Sequence, residues 1–340
     1  MRAVKAVVAA AVVIGTALTT VATAQAAPEG PPLDVPAAAL ERSLDCPPDA
    51  FTSDAAPILL IPGTTLTAQE NFFFTYEPAF RLRDRPYCAL TLPNHAMSDI
   101  QVSAEYVVRA LRTMADRSGE RVKIVGFSQC GMIGRWALKY WPDTREDVDE
   151  VIGLDPSNHG TLDAYATCTP LTAGCAPALW QQQTGSRFLA ALNSGPETYP
   201  GIDYTSISTP TDEIVVPNLP PAASSSLNTG EGRRANISTL DVCPVHVAEH
   251  LSMGSADPVG YALVTDALDH DGPADPARID RAVCTQLVHE GVDPVTGPTD
   301  FLAYSAGAVN QVLTYPHVAA EPALKPYATG SGDGGRSTDS

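Results

Sequence analysis

The chain has 340 residues, with 39 acidic against 21 basic side chains and a formal charge of −18. A surface so anionic repels phosphate backbones and acidic lipid headgroups, which disfavours nucleic-acid binding and charge-driven membrane binding. The length accommodates one large domain with an ample core, or at most two domains.

The chain opens with Arg2 and Lys5, an apolar run from Ala6 to Leu18, and then Ala22-Thr23-Ala24-Gln25-Ala26. A charged start, an apolar stretch too short to span a bilayer and small-residue cleavage sites describe a signal peptide over 1–26, with cleavage after Ala26 preferred and Ala24 next. The mature protein is therefore expected to be secreted, with no membrane span. Residues 27–45 are rich in Pro and Ala and read as a linker or wrapped arm. A catalytic domain is expected over 46–328, followed by a disordered Gly/Ser/Asp-rich tail over 329–340.

Within the domain, Ala56–Gly63 reads as a short buried strand stopped by Pro62-Gly63, and 88–92 as a second. Ser98-Asp99-Ile100-Gln101 reads as a capping box. It opens a helix with apolar positions Ile100, Ala104, Val107, Val108, Leu111 and Met114, ended by Gly119. Further strands are expected at Ile124-Val125, 148–154, 204–208 and 235–240, with helices over 132–140 and 259–268. Residues 160–200 read as an insertion. Strands alternating with helices predict an α/β fold whose mostly parallel sheet is covered on both faces.

The run Lys123-Ile124-Val125-Gly126-Phe127-Ser128-Gln129-Cys130-Gly131-Met132 carries the chemistry. A strand ending in Gly-Phe-Ser and passing at once into a helix matches the nucleophile elbow, G-x-S-x-G, except that Cys130 replaces the last glycine and Gly131 follows one place later. The competing reading is an ordinary surface turn.

A serine nucleophile needs a base, a carboxylate to orient that base, and donors for the oxyanion. In chain order Ser, Asp/Glu, His, the acid candidates are Asp155 and Asp212, each just past an expected strand. Asp212 is preferred because the acid usually follows the later strand; alternatively it is a turn residue after Pro210. His250, beyond the last expected strand, is the preferred base, with His246 as rival; His270 and His289 read as surface residues. The backbone N–H groups of Thr64 and Gln129 are the oxyanion donors, with the Thr64 hydroxyl as a third. No HExxH or Cys/His cluster of metal spacing occurs, and the acidic run Asp266, Asp269, Asp271 and Asp275 lacks EF-hand order. No metal or cofactor is expected.

Seven cysteines in an exported chain invite pairing. Cys46 with Cys88, Cys168 with Cys175 and Cys243 with Cys284 would leave Cys130 as a small buried thiol in the elbow. Phe72-Phe73-Phe74 reads as a buried aromatic cluster or as an apolar rim. Asn236-Ile237-Ser238 matches a glycosylation sequon.

With these residues in place, the chain resembles the Candida antarctica lipase B-like family of lipases and esterases. The likeness is carried by Pro57–Thr64, Asp99–Val107, Ser128-Gln129, Trp180-Gln181-Gln182-Gln183-Thr184-Gly185-Ser186, Thr211–Val215 and Glu321–Ala328, which together cover most of the mature chain. The resemblance implies an α/β-hydrolase fold, a triad at Ser128, Asp212 and His250, and an oxyanion hole at Thr64 and Gln129. It further implies a pocket lined by Asp155 and Gln182, and it supports the Cys46–Cys88 and Cys243–Cys284 bridges. Phe127 stands where the family has tryptophan, so the alcohol side of the pocket would differ in size. Cys130 replaces a family glycine, and Cys168 and Cys175 are additions of this chain.

The expected protein is a secreted serine carboxylester hydrolase that acts as a monomer on lipophilic esters, without nucleic-acid partners. A short-chain or polymer esterase, or a non-catalytic binding protein on the same fold, is the alternative.

Overall fold

The computed structural model describes residues 27–169 and 173–329. The expected signal peptide over 1–26 and residues 330–340 of the expected tail lie outside the described residues.

Seven strands form one sheet: β1 Leu44–Asp45, β2 Ile58–Ile61, β3 Tyr87–Leu90, β4 Val122–Phe127, β5 Val148–Leu154, β6 Asp203–Ser208 and β7 Arg233–Ser238. Their spatial order is β1-β3-β2-β4-β5-β6-β7, parallel throughout except for β1, which pairs antiparallel with β3 at one edge.

The apolar run Ile58-Leu59-Leu60-Ile61 makes a strand buried on both sides. Leu59 and Ile61 enter a core with the helices Ile100–Ser118 and Gln129–Tyr140, while Ile58 and Leu60 enter a second core with the helix Pro258–Asp269. The period-2 alternation of a strand thus feeds two layers, which explains why β2, covered on both faces, is apolar throughout, whereas β7 at the sheet edge carries Arg233, Arg234 and Asn236.

All six apolar positions expected on the helix Ile100–Ser118 are buried, and Gly119 ends it in the left-handed region at φ 73°. The cap lies one residue later than the capping box predicts. Asp99 accepts from the Gln101 N–H, and the Gln101 side chain returns a bond to the same carboxylate, while Ser98 bonds Asn94 and Tyr315 instead. β7 begins and ends two residues earlier than expected; it stops at Ser238, whose side chain caps the helix Thr239–Val242.

The arm after residue 27 is tied to the body. The Val35 N–H donates to Glu105, and the Trp141 indole donates to the Pro31 carbonyl. The arm then runs through the helix Ala37–Arg42 into β1, and the Cys46–Cys88 bridge joins it to β3. Cys168–Cys175 and Cys243–Cys284 are also bonded, leaving Cys130 free and buried. A helix over Gly297–Thr314, which the sequence does not announce, crosses near the carboxyl end of the sheet. Among the described residues no helix is long and apolar enough to cross a membrane.

Candidate active site

The carboxyl edge of the sheet gathers the candidates. Thr64 follows β2, Ser128 follows β4, Asp155 follows β5, Asp212 lies past β6, and His250 lies past β7.

Ser128 sits between β4 and the helix Gln129–Tyr140 at φ 55° and ψ −125°, a strained left-handed conformation for a residue with a side chain. Two glycines permit it. A Cβ on Gly126 would lie 2.2 Å from the Cys130 carbonyl oxygen, and one on Gly131 would lie 2.6 Å from Pro156. Cys130 is tolerated where a glycine was expected because only its backbone crosses Gly126, while its thiol is buried among the apolar core residues on that face. Burial pushes that thiol far above its ordinary pKa, so it stays a thiol rather than a reactive thiolate.

The His250 ring bridges the other two candidates. Nε2 lies 3.0 Å from Ser128 Oγ, and Nδ1 lies 2.9 Å from Asp212 Oδ2. The backbone N–H groups of Ile214 and Val215 both donate to Asp212 Oδ1 at 2.8 Å, and the Asn218 amide donates to Oδ2 at 3.3 Å. Those donors orient the carboxylate before the ring meets it. The Glu213 carboxylate accepts from the His250 N–H, and the Phe127 ring packs on the imidazole with centroids 4.7 Å apart. All three members of the chain Ser128–His250–Asp212 are buried.

On the opposite side of Ser128, Thr64 Oγ1 accepts from the Gln129 amide at 2.9 Å and from the Gln182 amide at 3.1 Å. With its lone pairs so used, the hydroxyl proton is left to donate elsewhere. The backbone N–H groups of Thr64 and Gln129 have no acceptor among the described residues. Ser157 in turn donates to Gln182 Oε1 at 3.0 Å, which fixes the orientation of that amide.

Ser128, His250, Thr64, Gln182 and Phe127 line a cavity of about 310 Å³. Leu179, Ile214, Val215, Leu251, Val309 and Val312 supply apolar wall, and Asp163 and Glu213 bring two carboxyls to it.

Asp155 is not on that wall, contrary to the expectation from the resemblance. Its N–H still pairs with the Ile207 carbonyl of β6, and at φ 41° its side chain turns back into the protein, where it is fully buried. Ser157, two residues further on, makes the contact to Gln182 instead. The rival base His246 is bonded to Asp257 at 2.7 Å. His289, expected at the surface, is buried, stacked on Tyr261 and bonded to the Ser255 carbonyl; burial draws its pKa down to about 4. Phe72 and Phe74 are buried against Tyr76 and Tyr304, while Phe73 between them is exposed, and none of the three lines the cavity. Sequence reasoning missed Ser157 and Asn218, small polar residues in loops that carry no motif.

No family model matches the sequence. The crystal structure of Aspergillus fumigatus lipase B superposes with a TM-score of 0.81 at 30% identity, covering 89% of this chain and 74% of that one. The chain belongs to the lipase B family. Lipase B of Pseudozyma antarctica is 29% identical over 308 residues, 88% of this chain and 86% of its own length. A Bacillus licheniformis lipase in its propeptide form shares the fold alone, with a TM-score of 0.50 at 16% identity, over 72% of this chain and 54% of that one. As a member of the lipase B family, the protein is an ester hydrolase on the α/β-hydrolase fold.

Proposed function

We propose that this lipase B relative is an exported serine carboxylester hydrolase that cleaves lipophilic acyl esters through an acyl-enzyme on Ser128. The observation that carries the reading is the His250 imidazole held between Ser128 Oγ and Asp212 Oδ2 at 3.0 and 2.9 Å, on the wall of an apolar cavity.

In this reading His250 Nε2 takes the Ser128 proton as Oγ attacks the ester carbonyl carbon. Asp212 holds the tautomer with the proton on Nδ1 and stabilises the imidazolium that forms. The N–H groups of Thr64 and Gln129 and the Thr64 hydroxyl receive the developing oxyanion, each donor contributing about 3 kcal/mol in the transition state. The imidazolium returns its proton to the departing alkoxide, so that the alcohol leaves. Water, deprotonated by the same ring, then releases the acid.

The apolar wall and the exposed Leu162, Ile214, Val309 and Leu313 support a lipophilic substrate. The three disulfides and the sequence of 1–26 support export. Turnover of p-nitrophenyl butyrate and palmitate by the wild type, with emulsified triolein alongside, tests the reading. The account expects hydrolysis of the long ester and of triolein; activity confined to the short ester points to the short-chain esterase, and none at all to a binding protein.

A further inference from the structure

Asp155 is a buried carboxyl that the mechanism above does not use. Its Oδ1 accepts from the Thr209 N–H at 2.9 Å and from the Asn218 amide at 3.1 Å, while Oδ2 is buried and receives no hydrogen bond. The same Asn218 amide reaches Asp212 Oδ2, so one side chain ties the two acids together. An oxygen of Asp155, an oxygen of Asp212 and a ring nitrogen of His250 all lie within 4.8 Å of one another.

Two carboxyls that close in a dry site do not both ionise; one keeps the proton and the pair carries a single negative charge. The choice between them follows from their donors. Asp212 has four: two backbone N–H groups, the Asn218 amide and His250. Asp155 has two, and its bare Oδ2 is the atom on which a proton removes an unmet acceptor and creates a donor. The titratable groups facing Asp155 are the carboxylates of Asp212 and Asp257 and the imidazole of His250, whose ring nitrogen lies within 4.8 Å of it. Burial first, then the charge of Asp212, push the Asp155 carboxyl well above the usual carboxylate range.

We propose that Asp155 is a positioning residue for ester hydrolysis: a carboxylic acid that shares one proton with Asp212 and, together with Asn218, holds that carboxylate against His250. The proposal rests on the triad reading and deepens it. Asp155 leaves the site with one compensating charge for the imidazolium instead of two, and through Asn218 it is tied to Asp212 Oδ2, the oxygen that faces the ring.

The full-length wild type, Asp155→Asn and Asp155→Ala are compared on p-nitrophenyl butyrate between about pH 5 and 9. Asparagine reproduces the acceptor and the donor of the neutral acid. Asp155→Asn therefore folds, keeps kcat/KM within about threefold, and keeps the acid limb of the profile within about 0.3 units. Asp155→Ala removes the donor and lowers kcat by about tenfold or more with KM within about twofold. Where the alanine variant does not fold, Asn218→Ala, which unties the same two acids, replaces it with the same expectation.

An acid limb lowered by about one unit or more in Asp155→Asn overturns the proposal, because a second negative charge had then been raising the imidazole pKa. So does an asparagine variant that cannot fold, or a wild-type kcat in the variant that lacks the donor. Failure of the triad reading looks different: wild type and variants alike then show no labelling by a fluorophosphonate.

Discussion

Thr64 illustrates how one side chain is given its task by its neighbours. Two amide donors occupy its oxygen, so in the proposed mechanism the hydroxyl proton is the part that donates to substrate. Thr64→Val is expected to lower kcat on the order of 10²-fold, while Thr64→Ser keeps most of it; equal losses in the two variants would mean that the hydroxyl is not a donor. Cys130 makes the opposite prediction. It is buried and held as a thiol, so Cys130→Ala is expected to keep wild-type kcat and to cost about 1–2 kcal/mol in a denaturant titration. At this scale the placement of the candidates was legible: Ser128 stands on a Gly-x-Ser turn between strand and helix, and Asp212 and His250 stand past successive strands, where the structure brings them within hydrogen-bond distance. Asp155 was placed on the wrong surface. The sequence shows that it follows β5, but neither its turn at φ 41° nor the Asn218 amide between it and Asp212 is encoded in any spacing.

Among the elements, the elbow is the least forgiving. A Cβ at Gly126 would press into the Cys130 carbonyl oxygen, so Gly126→Ala forces the helix Gln129–Tyr140 away from β4. We expect a loss of about 1–3 kcal/mol in stability together with a larger fall in kcat, since the same shift moves Ser128 from His250. The sheet offers a pH test. Glu150 on β5 is buried between Lys123 of β4 and Thr205 of β6, and burial raises its pKa to about 8 in spite of Lys123 and Thr205. The unfolded chain releases this proton near its ordinary 4.5 and the folded chain near 8, so stability falls as pH rises across that window. Glu150→Gln is expected to raise the melting temperature at the alkaline end of the window and to leave it unchanged below the lower value; equal shifts at both ends would contradict the assignment. The strands and the helix Ile100–Ser118 were readable because their apolar residues repeat at the period of the element. The helix Gly297–Thr314 was not, because Leu302, Val309 and Leu313 lie exposed and only Gly297, Tyr304 and Ala308 are buried. No clean inward stripe announces it.

Across the whole molecule, the bridges divide by loop length. Cys46–Cys88 and Cys243–Cys284 span 42 and 41 residues, whereas Cys168–Cys175 spans 7. On the chain-entropy account each long bridge contributes about 4 kcal/mol and the short one about 2.5 kcal/mol. Replacing both cysteines of a long bridge by serine is therefore expected to lower the denaturation midpoint more than replacing Cys168 and Cys175, and a larger drop for the short bridge would contradict it. Burial over these distances is also what hid His289. Its polar sequence neighbours suggested solvent, yet its partners are Tyr261 and the Ser255 carbonyl, some thirty residues earlier.

The proposed mechanism rests on one hydroxyl made nucleophilic by the imidazole of His250, which opens the short helix His250–Met253. The most direct measurement is covalent labelling of the intact protein with a fluorophosphonate, followed by mass mapping of the modified peptide. The account predicts a single adduct on Ser128, lost in Ser128→Ala and strongly slowed in His250→Ala. An unlabelled wild type, or an adduct on another serine that persists in Ser128→Ala, would contradict it.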